Sequence, residues 1–288
     1  MRRAALAFLL LPSWAGAASL DAEIRRMSAD GLTLESKASG KTAKGLQLSA
    51  MIFARGDGGG SRLLIYEVRG KSAKLLHFEP TQARLRFDPL LHKGGRVLDA
   101  GDGSLIVGYH VEFPAIRQTS LSLLRYAEGK LQRVGKPLPF AETEDVDLDG
   151  RIEIVSHERP LGQFFSLNCE SFFTLASEAQ RSRIHAFKGG KLETVSRDYP
   201  AYYRSHMATL KAEMEANEYL KTRRYGEFLG SALSLFFDYE ELGRKQEGWT
   251  NFRQTFQLPG YTPASVKTCY NEINSTLRRK LQIPPDWE

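Results

Sequence analysis

Three times in this chain an apolar run of β type ends on an aromatic residue, crosses a glycine turn and resumes as a shorter apolar run. Leu63-Leu64-Ile65-Tyr66 leads through Gly70 to Leu75-Leu76. Leu121–Tyr126 leads through Glu128-Gly129-Lys130 to Leu131 and Val134, and Ile184–Phe187 leads through Gly189-Gly190-Lys191 to Leu192 and Val195. The units lie roughly 60 residues apart. A glycine hairpin between two apolar strands cannot bury its own hydrophobic face, so recurring copies must pack on one another. The chain is therefore read as mainly β, built from antiparallel repeats, with a helical C-terminal region. The repeats are expected to form either propeller-like blades or a related antiparallel β-repeat stack.

The second and third hairpins are each preceded by an Asp-Gly turn running into an apolar strand: Asp102-Gly103-Ser104-Leu105-Ile106-Val107 and Asp149-Gly150-Arg151-Ile152-Glu153-Ile154-Val155. In the third unit the turn is embedded in Asp145-Val146-Asp147-Leu148-Asp149-Gly150, which places a carboxylate on every second residue. Calcium takes six to eight oxygens at roughly 2.3–2.6 Å, and a short loop can supply them only by such alternation around a tight turn. Asp145, Asp147 and Asp149 would be ligands one, three and five. Gly150 stands at the sharp turn, the Arg151 carbonyl would be ligand seven, and Glu153 would close the shell. An EF-hand needs its bidentate glutamate at position twelve, where this chain has Ser156. The alternative is an acidic surface turn that holds no metal. The Asp102-Gly103 copy has only Asp99 as a further acid nearby and is not read as a metal site.

Asp145–Val155 resembles the Asp-x-Asp-x-Asp-Gly-x-x-Glu-Ile-Val segment of FG-GAP/VCBS repeats, the blades of integrin-α-like β-propellers. The resemblance implies a calcium loop joining two strands of one blade. Two features depart from that family's pattern. Leu148 stands where Gly or Asn is usual, and only one complete loop is present where several are common.

The N-terminus reads as a secretory signal over residues 1–18. Arg2 and Arg3 give a positive start, Ala4–Leu11 a short apolar core, Pro12 a break and Ala15-Gly16-Ala17 a small-residue cleavage site. The apolar run is too short to span a bilayer, so no transmembrane segment is expected after its removal. The expected location is periplasmic or secreted. The net charge of +6 falls to +4 without the two arginines, and no Lys/Arg block concentrates it, so nucleic acid is not an expected partner. In an oxidising compartment Cys169 and Cys269 are a candidate disulfide, with two buried thiols as the alternative.

Residues 19–200 are assigned to the β-repeat domain and 201–288 to an α-helical domain, because the apolar period changes from two to about 3.6 after Tyr202. Gly45–Ala54 alternates as a half-buried strand should. Before it, residues 19–44 offer only a short strand at Leu32-Thr33-Leu34. Met207, Leu210 and Met214 mark one helix, Phe228–Tyr239 a second ending near Gly243, and Trp249, Phe252 and Phe256 a third. Thr262 is read as the N-cap of the last helix with Pro263 at its first position, and Arg278-Arg279-Lys280 suit the negative end of its dipole. Residues 160–180 form an aromatic insert, either a ligand-facing loop or a buried plug.

No His-Glu-x-x-His motif and no Gly-x-Ser-x-Gly elbow occurs, and no two of the six histidines lie four residues apart. His157-Glu158 and Tyr109-His110 read as strand positions. The chain is therefore expected to be an exported calcium-binding β-repeat protein, a binding or scaffold module of the cell envelope with calcium in a structural role. Its expected partner is an envelope protein or glycan. The alternative is an exported hydrolase acting on cell-envelope material.

Overall fold

The computed structural model describes residues 19–56, 60–161, 179–258, 260 and 262–287. The segment read as a secretory signal, residues 57–59, most of the segment read as an aromatic insert and Cys169 therefore lie outside the described residues.

Three antiparallel sheets follow one another along the chain. The first is a meander of β1 (Leu32–Lys41), β2 (Gln47–Arg55), β3 (Ser61–Arg69) and β4 (Ser72–Thr81). The second is built on the long pair β7 (Leu105–Phe113) and β8 (Gln118–Ala127). On β7 pair β5 (Arg84–Phe87) and β6 (Leu98–Asp99); on β8 pair β9 (Lys130–Arg133) and β10 (Leu138–Pro139). The third is again a meander, of β11 (Glu142–Glu144), β12 (Glu153–Glu158), β13 (Arg181–Lys188) and β14 (Lys191–Thr194). The three glycine hairpins read from the sequence are the β3–β4, β8–β9 and β13–β14 connections.

The side-chain alternation of the strands stacks these sheets in a row. Leu63 and Ile65 of β3 face Val107 and Tyr109 of β7 in one core. Ile106, Leu121 and Leu123 point the other way and meet Ile154 of the third sheet and Ala141 just before it. Val155 and Ile184, on the far side of that sheet, join the helical core. Among the described residues the row is not closed into a ring; its ends are covered by helices instead.

One cover was not foreseen. Residues 20–29 form helix α1 (Leu20–Ala29), capped by the Ser19 hydroxyl, which accepts the Ala22 N–H at 3.2 Å. Its Met27 packs on Met51, Phe53, Leu64 and Tyr66, on the outer face of the first sheet. This overturns the half-buried reading of Gly45–Ala54: β2 is buried on both faces, because a helix lies on one side and a sheet on the other. Strand β1 is likewise far longer than the three residues expected.

The other cover comprises α2 (Pro200–Ala216), α3 (Tyr225–Glu241), α4 (Lys245–Thr255) and α5 (Ala264–Lys280). The central helix α3 buries Leu229, Ala232, Leu233 and Phe236 among its neighbours. These helices share one core with the third sheet. The Tyr203 hydroxyl donates to the Ser182 carbonyl at 2.8 Å and Arg183 Nε to Glu241 at 3.0 Å. Helix α5 begins at Ala264 with Pro263 as its cap, one residue later than expected, so Thr262 is no N-cap. Cys269 is buried on the inner face of α5.

Polar links lock the sheets at fixed offsets. The Tyr126 hydroxyl of the second sheet donates to Glu67 of the first at 2.6 Å, and Tyr109 donates to Glu79 at 2.7 Å. The bond from Tyr126, ahead of Arg69, holds the Glu67 carboxyl below its usual range. Thr143 of the third sheet donates to Asp88 of the second at 2.8 Å. Replacing Tyr126 by phenylalanine keeps the ring and removes the donor to a buried carboxylate. It is expected to destabilise the fold by about 1–3 kcal/mol in urea unfolding.

His185 supplies a pH dependence. It is 8 % exposed, between Ser156 Oγ at 2.8 Å and Thr194 Oγ1 at 3.2 Å. Burial, then the Arg183 charge, pushes it down from 6.5 to about 4. The unfolded chain binds this proton more readily, so the contribution is complete above pH 6.5 and is lost as pH falls toward 4. It amounts to on the order of 3 kcal/mol. The stability difference between the native protein and His185→Gln is expected to narrow over that interval, read from denaturant midpoints at stepped pH.

Candidate metal site

Strands β11 and β12 pair Glu144 with Glu153, so residues 145–152 form the connection of one hairpin. The acidic alternation makes that connection a series of side-chain-to-backbone bonds. Asp145 Oδ2 accepts the Gly150 N–H at 2.9 Å, Asp147 Oδ1 the Asp149 N–H at 3.3 Å, and Asp149 Oδ1 the Arg151 N–H at 2.8 Å. Gly150 has φ 88°, a backbone conformation that a side chain disfavours. Val146 is the anchor, packed against the helical core between Asp145 and Asp147.

The result is that Asp145, Asp147 and Asp149 each place a carboxylate oxygen within 4.8 Å of the others. Two oxygens held at about 2.4 Å from one calcium ion stand no more than about 4.8 Å apart. The three therefore fit within one coordination shell. Asp145 Oδ1 is buried and has no hydrogen-bond partner among the described residues. A buried carboxylate oxygen without a donor is costly, and a cation would satisfy it.

Glu153 stands apart from this convergence. It is 2 % exposed, and its Oε2 accepts the Val146 N–H at 3.1 Å. Burial raises its carboxyl above the ordinary range; Val146 and Tyr199 oppose the rise, and the charges of Asp147 and Asp149 add to it. Tyr199 is in turn pushed up by burial and by its bond to Glu153, ahead of the two aspartates. Glu153 thus fastens the loop from behind and links it to the chain entering α2. Of Arg151 the structure shows the donated N–H and an exposed guanidinium 3.8 Å from Asp149 Oδ2.

The departure at Leu148 acquires a physical meaning. This residue has φ 63° and is 87 % exposed. Leucine in the left-handed region is strained, whereas Gly and Asn enter it readily. The Asp102 turn is different in kind: Asp102 is bonded to Ser104 and, at short range, to Arg125, and these partners hold its carboxyl at about 2. Its charge is consumed within the fold.

The histidines fall into separate pairs. His110 Nε2 is 2.8 Å from Asp88 Oδ2, His206 Nδ1 is 2.8 Å from Asp238 Oδ2, and His157 Nδ1 is 2.9 Å from Ser182 Oγ. His157 and His110 are thus more engaged than their reading as plain strand positions suggested. The Asp88–His110 pair joins residues 22 apart in sequence and gave no local signal. Comparison of the chain with family models, with curated proteins and with solved structures returns no match.

Leu148→Asn relieves the left-handed leucine without adding the chain entropy of glycine. It is expected to raise stability by about 0.5–1 kcal/mol, measured by urea unfolding in chelator.

Proposed function

We propose that the protein is an exported binding or scaffold module whose acidic loop takes one calcium ion in a structural role. The observation that carries this reading is the convergence of Asp145, Asp147 and Asp149 around a buried, unpartnered Asp145 oxygen. The hard, all-oxygen donor set favours calcium over softer divalent metals. The loop joins two adjacent strands of one meander, which is where the FG-GAP/VCBS resemblance puts it; each sheet would then be a blade-like unit. Calcium would tie the β11–β12 hairpin to the chain entering α2 through Val146 and Glu153. Its effect is on the fold, and partner binding belongs to other surfaces. Export is supported by the composition of residues 1–18 and agrees with a compartment where calcium is available. No helix among the described residues is long and apolar enough to cross a membrane. The partner class proposed is an envelope protein or glycan.

Thermal melts of the mature protein in excess calcium and in chelator test the cation. At a calcium concentration about a hundred times Kd the midpoint is expected to rise by roughly 5–10 °C. Asp147→Ala is expected to abolish the rise while folding normally in chelator. An equal midpoint for the native protein in calcium and in chelator would reduce the loop to a surface turn.

A further inference from the structure

At the other end of β12 from the acidic loop, the second and third sheets part to leave a cleft of about 720 Å³. One lip of the cleft is the β7–β8 turn, which contributes Phe113, Pro114 and Arg117. This turn carries apolar side chains into solvent. Ile116 is 66 % exposed and Phe113 42 %; Leu90, which follows Pro89 of the cleft wall, is 37 % exposed. Apolar residues gathered on an exposed rim mark a contact surface. The turn is also held in one shape. Pro114 fixes its first position, and the Arg117 N–H returns to the Pro114 carbonyl at 3.2 Å. A projection already ordered loses little freedom on docking.

Most charges of the cleft are answered within the chain. Arg86 Nε is paired with Glu112 at 3.1 Å and His110 Nε2 with Asp88 at 2.8 Å. The Arg159 guanidinium lies over the Phe140 ring, 5.3 Å from its centroid. The side chains of Arg117 and Glu142 are different: both residues are exposed, and neither side chain makes a hydrogen bond or ion pair among the described residues. One cation therefore stands on the projecting turn and one anion on the wall of the hollow. The two balance, so the cleft has no net charge with which to select a charged small ligand. An apolar projection bearing a cation, set beside a hollow bearing an anion, is a surface complementary to itself.

We propose that this rim is the interface of a two-fold dimer of the chain. Phe113 and Ile116 of each copy enter the cleft of the other, against Pro89 and Phe140, and Arg117 meets the partner's Glu142. Turn and cleft share a lip, so both exchanges lie beside the symmetry axis. The contact then closes on itself instead of running on as a chain of molecules. A lipid surface fits the rim less well: it calls for cations around the apolar tip, and Glu112 and Glu142 stand there with only Arg117 unpaired. The cleft contains none of Asp145, Asp147 and Asp149, so the proposal does not rest on the cation reading.

The test is sedimentation velocity of the purified protein over about a hundredfold range of concentration, where a monomer–dimer equilibrium is expected. Ile116→Asp, Arg117→Glu and Glu142→Arg are each expected to weaken the dimer at least about tenfold. All three positions are exposed, so the variants should keep the native circular dichroism. The sharpest sample is an equimolar mixture of Arg117→Glu and Glu142→Arg. Each variant alone sets like charges against each other twice, whereas their two-fold heterodimer restores two opposite pairs. The mixture is therefore expected to regain dimer that neither variant forms alone, which a folding defect would not produce. The proposal is overturned by a monomer at every concentration, by a dimer that the three substitutions leave unchanged, or by a mixture no more associated than its components. Monomeric protein that sediments with vesicles of anionic phospholipid, and loses them on Ile116→Asp, would assign the turn to a lipid surface and overturn it equally.

Discussion

Strand β7 sends Leu105, Val107 and Tyr109 to one side and Ile106 to the other, and both sides are dry. A sheet buried on both faces needs a partner on each, and that requirement propagates outward. The first sheet satisfies one side of the middle sheet and then exposes its own far face, which α1 covers. The third sheet satisfies the other side and is covered by α2–α5. Sheet offsets are then set by directional bonds, Tyr126 to Glu67, Tyr109 to Glu79 and Thr143 to Asp88. Apolar contact alone would let stacked sheets slide; a hydroxyl on a buried carboxylate tolerates little displacement.

The repeat, the hairpins and the change to helical period were legible because each is a local pattern. Tyr66, Tyr126 and Phe187 each close an apolar run within four residues of a glycine turn. What escaped is what depends on neighbours. Gly45–Ala54 was read from Leu46, Leu48, Ala50 and Ile52 alone; its other face mixes Gln47 and Ser49 with Met51 and Phe53, and nothing in it says that a helix covers that side. That helix, Leu20–Ala29, has only Met27 fully buried, and seven of its ten residues are Asp, Glu, Arg, Ser or Ala, so its apolar stripe is thin. The acidic loop was the opposite case. Its carboxylates lie within a few residues of one another, and three of the expected ligands do converge. Glu153 Oε2 accepts the Val146 N–H, and a side chain directed inward has the same sequence spacing as one directed toward an ion. The cleft between the second and third sheets was invisible, since Arg117, Phe140 and His157, which line it, are brought together only through strand pairing between distant segments.

The acidic loop and the cleft, which is lined by Glu142, His157 and Arg159, occupy opposite ends of β11 and β12. Both are built where the ladder stops: one between Glu144 and Glu153, the other where β12 runs out past His157. Strands β11 and β12 are short, three and six residues, so a change in their pairing would reach either end within a turn or two of backbone. The buried parts are the sheet faces, and the candidate sites lie at their rims, as is usual for loops set on a stable scaffold.

The helical covers have a consequence for how such a chain can change in length. A closed ring of blades must bring its last strand to its first, which fixes their number. A row ended by helices carries no such condition, because each sheet answers only to the one before and the one after. Gaining or losing a four-stranded unit between β10 and β11 would lengthen or shorten the row and leave both ends dressed. Repeat number in this architecture is a free variable, limited by the match between adjacent faces.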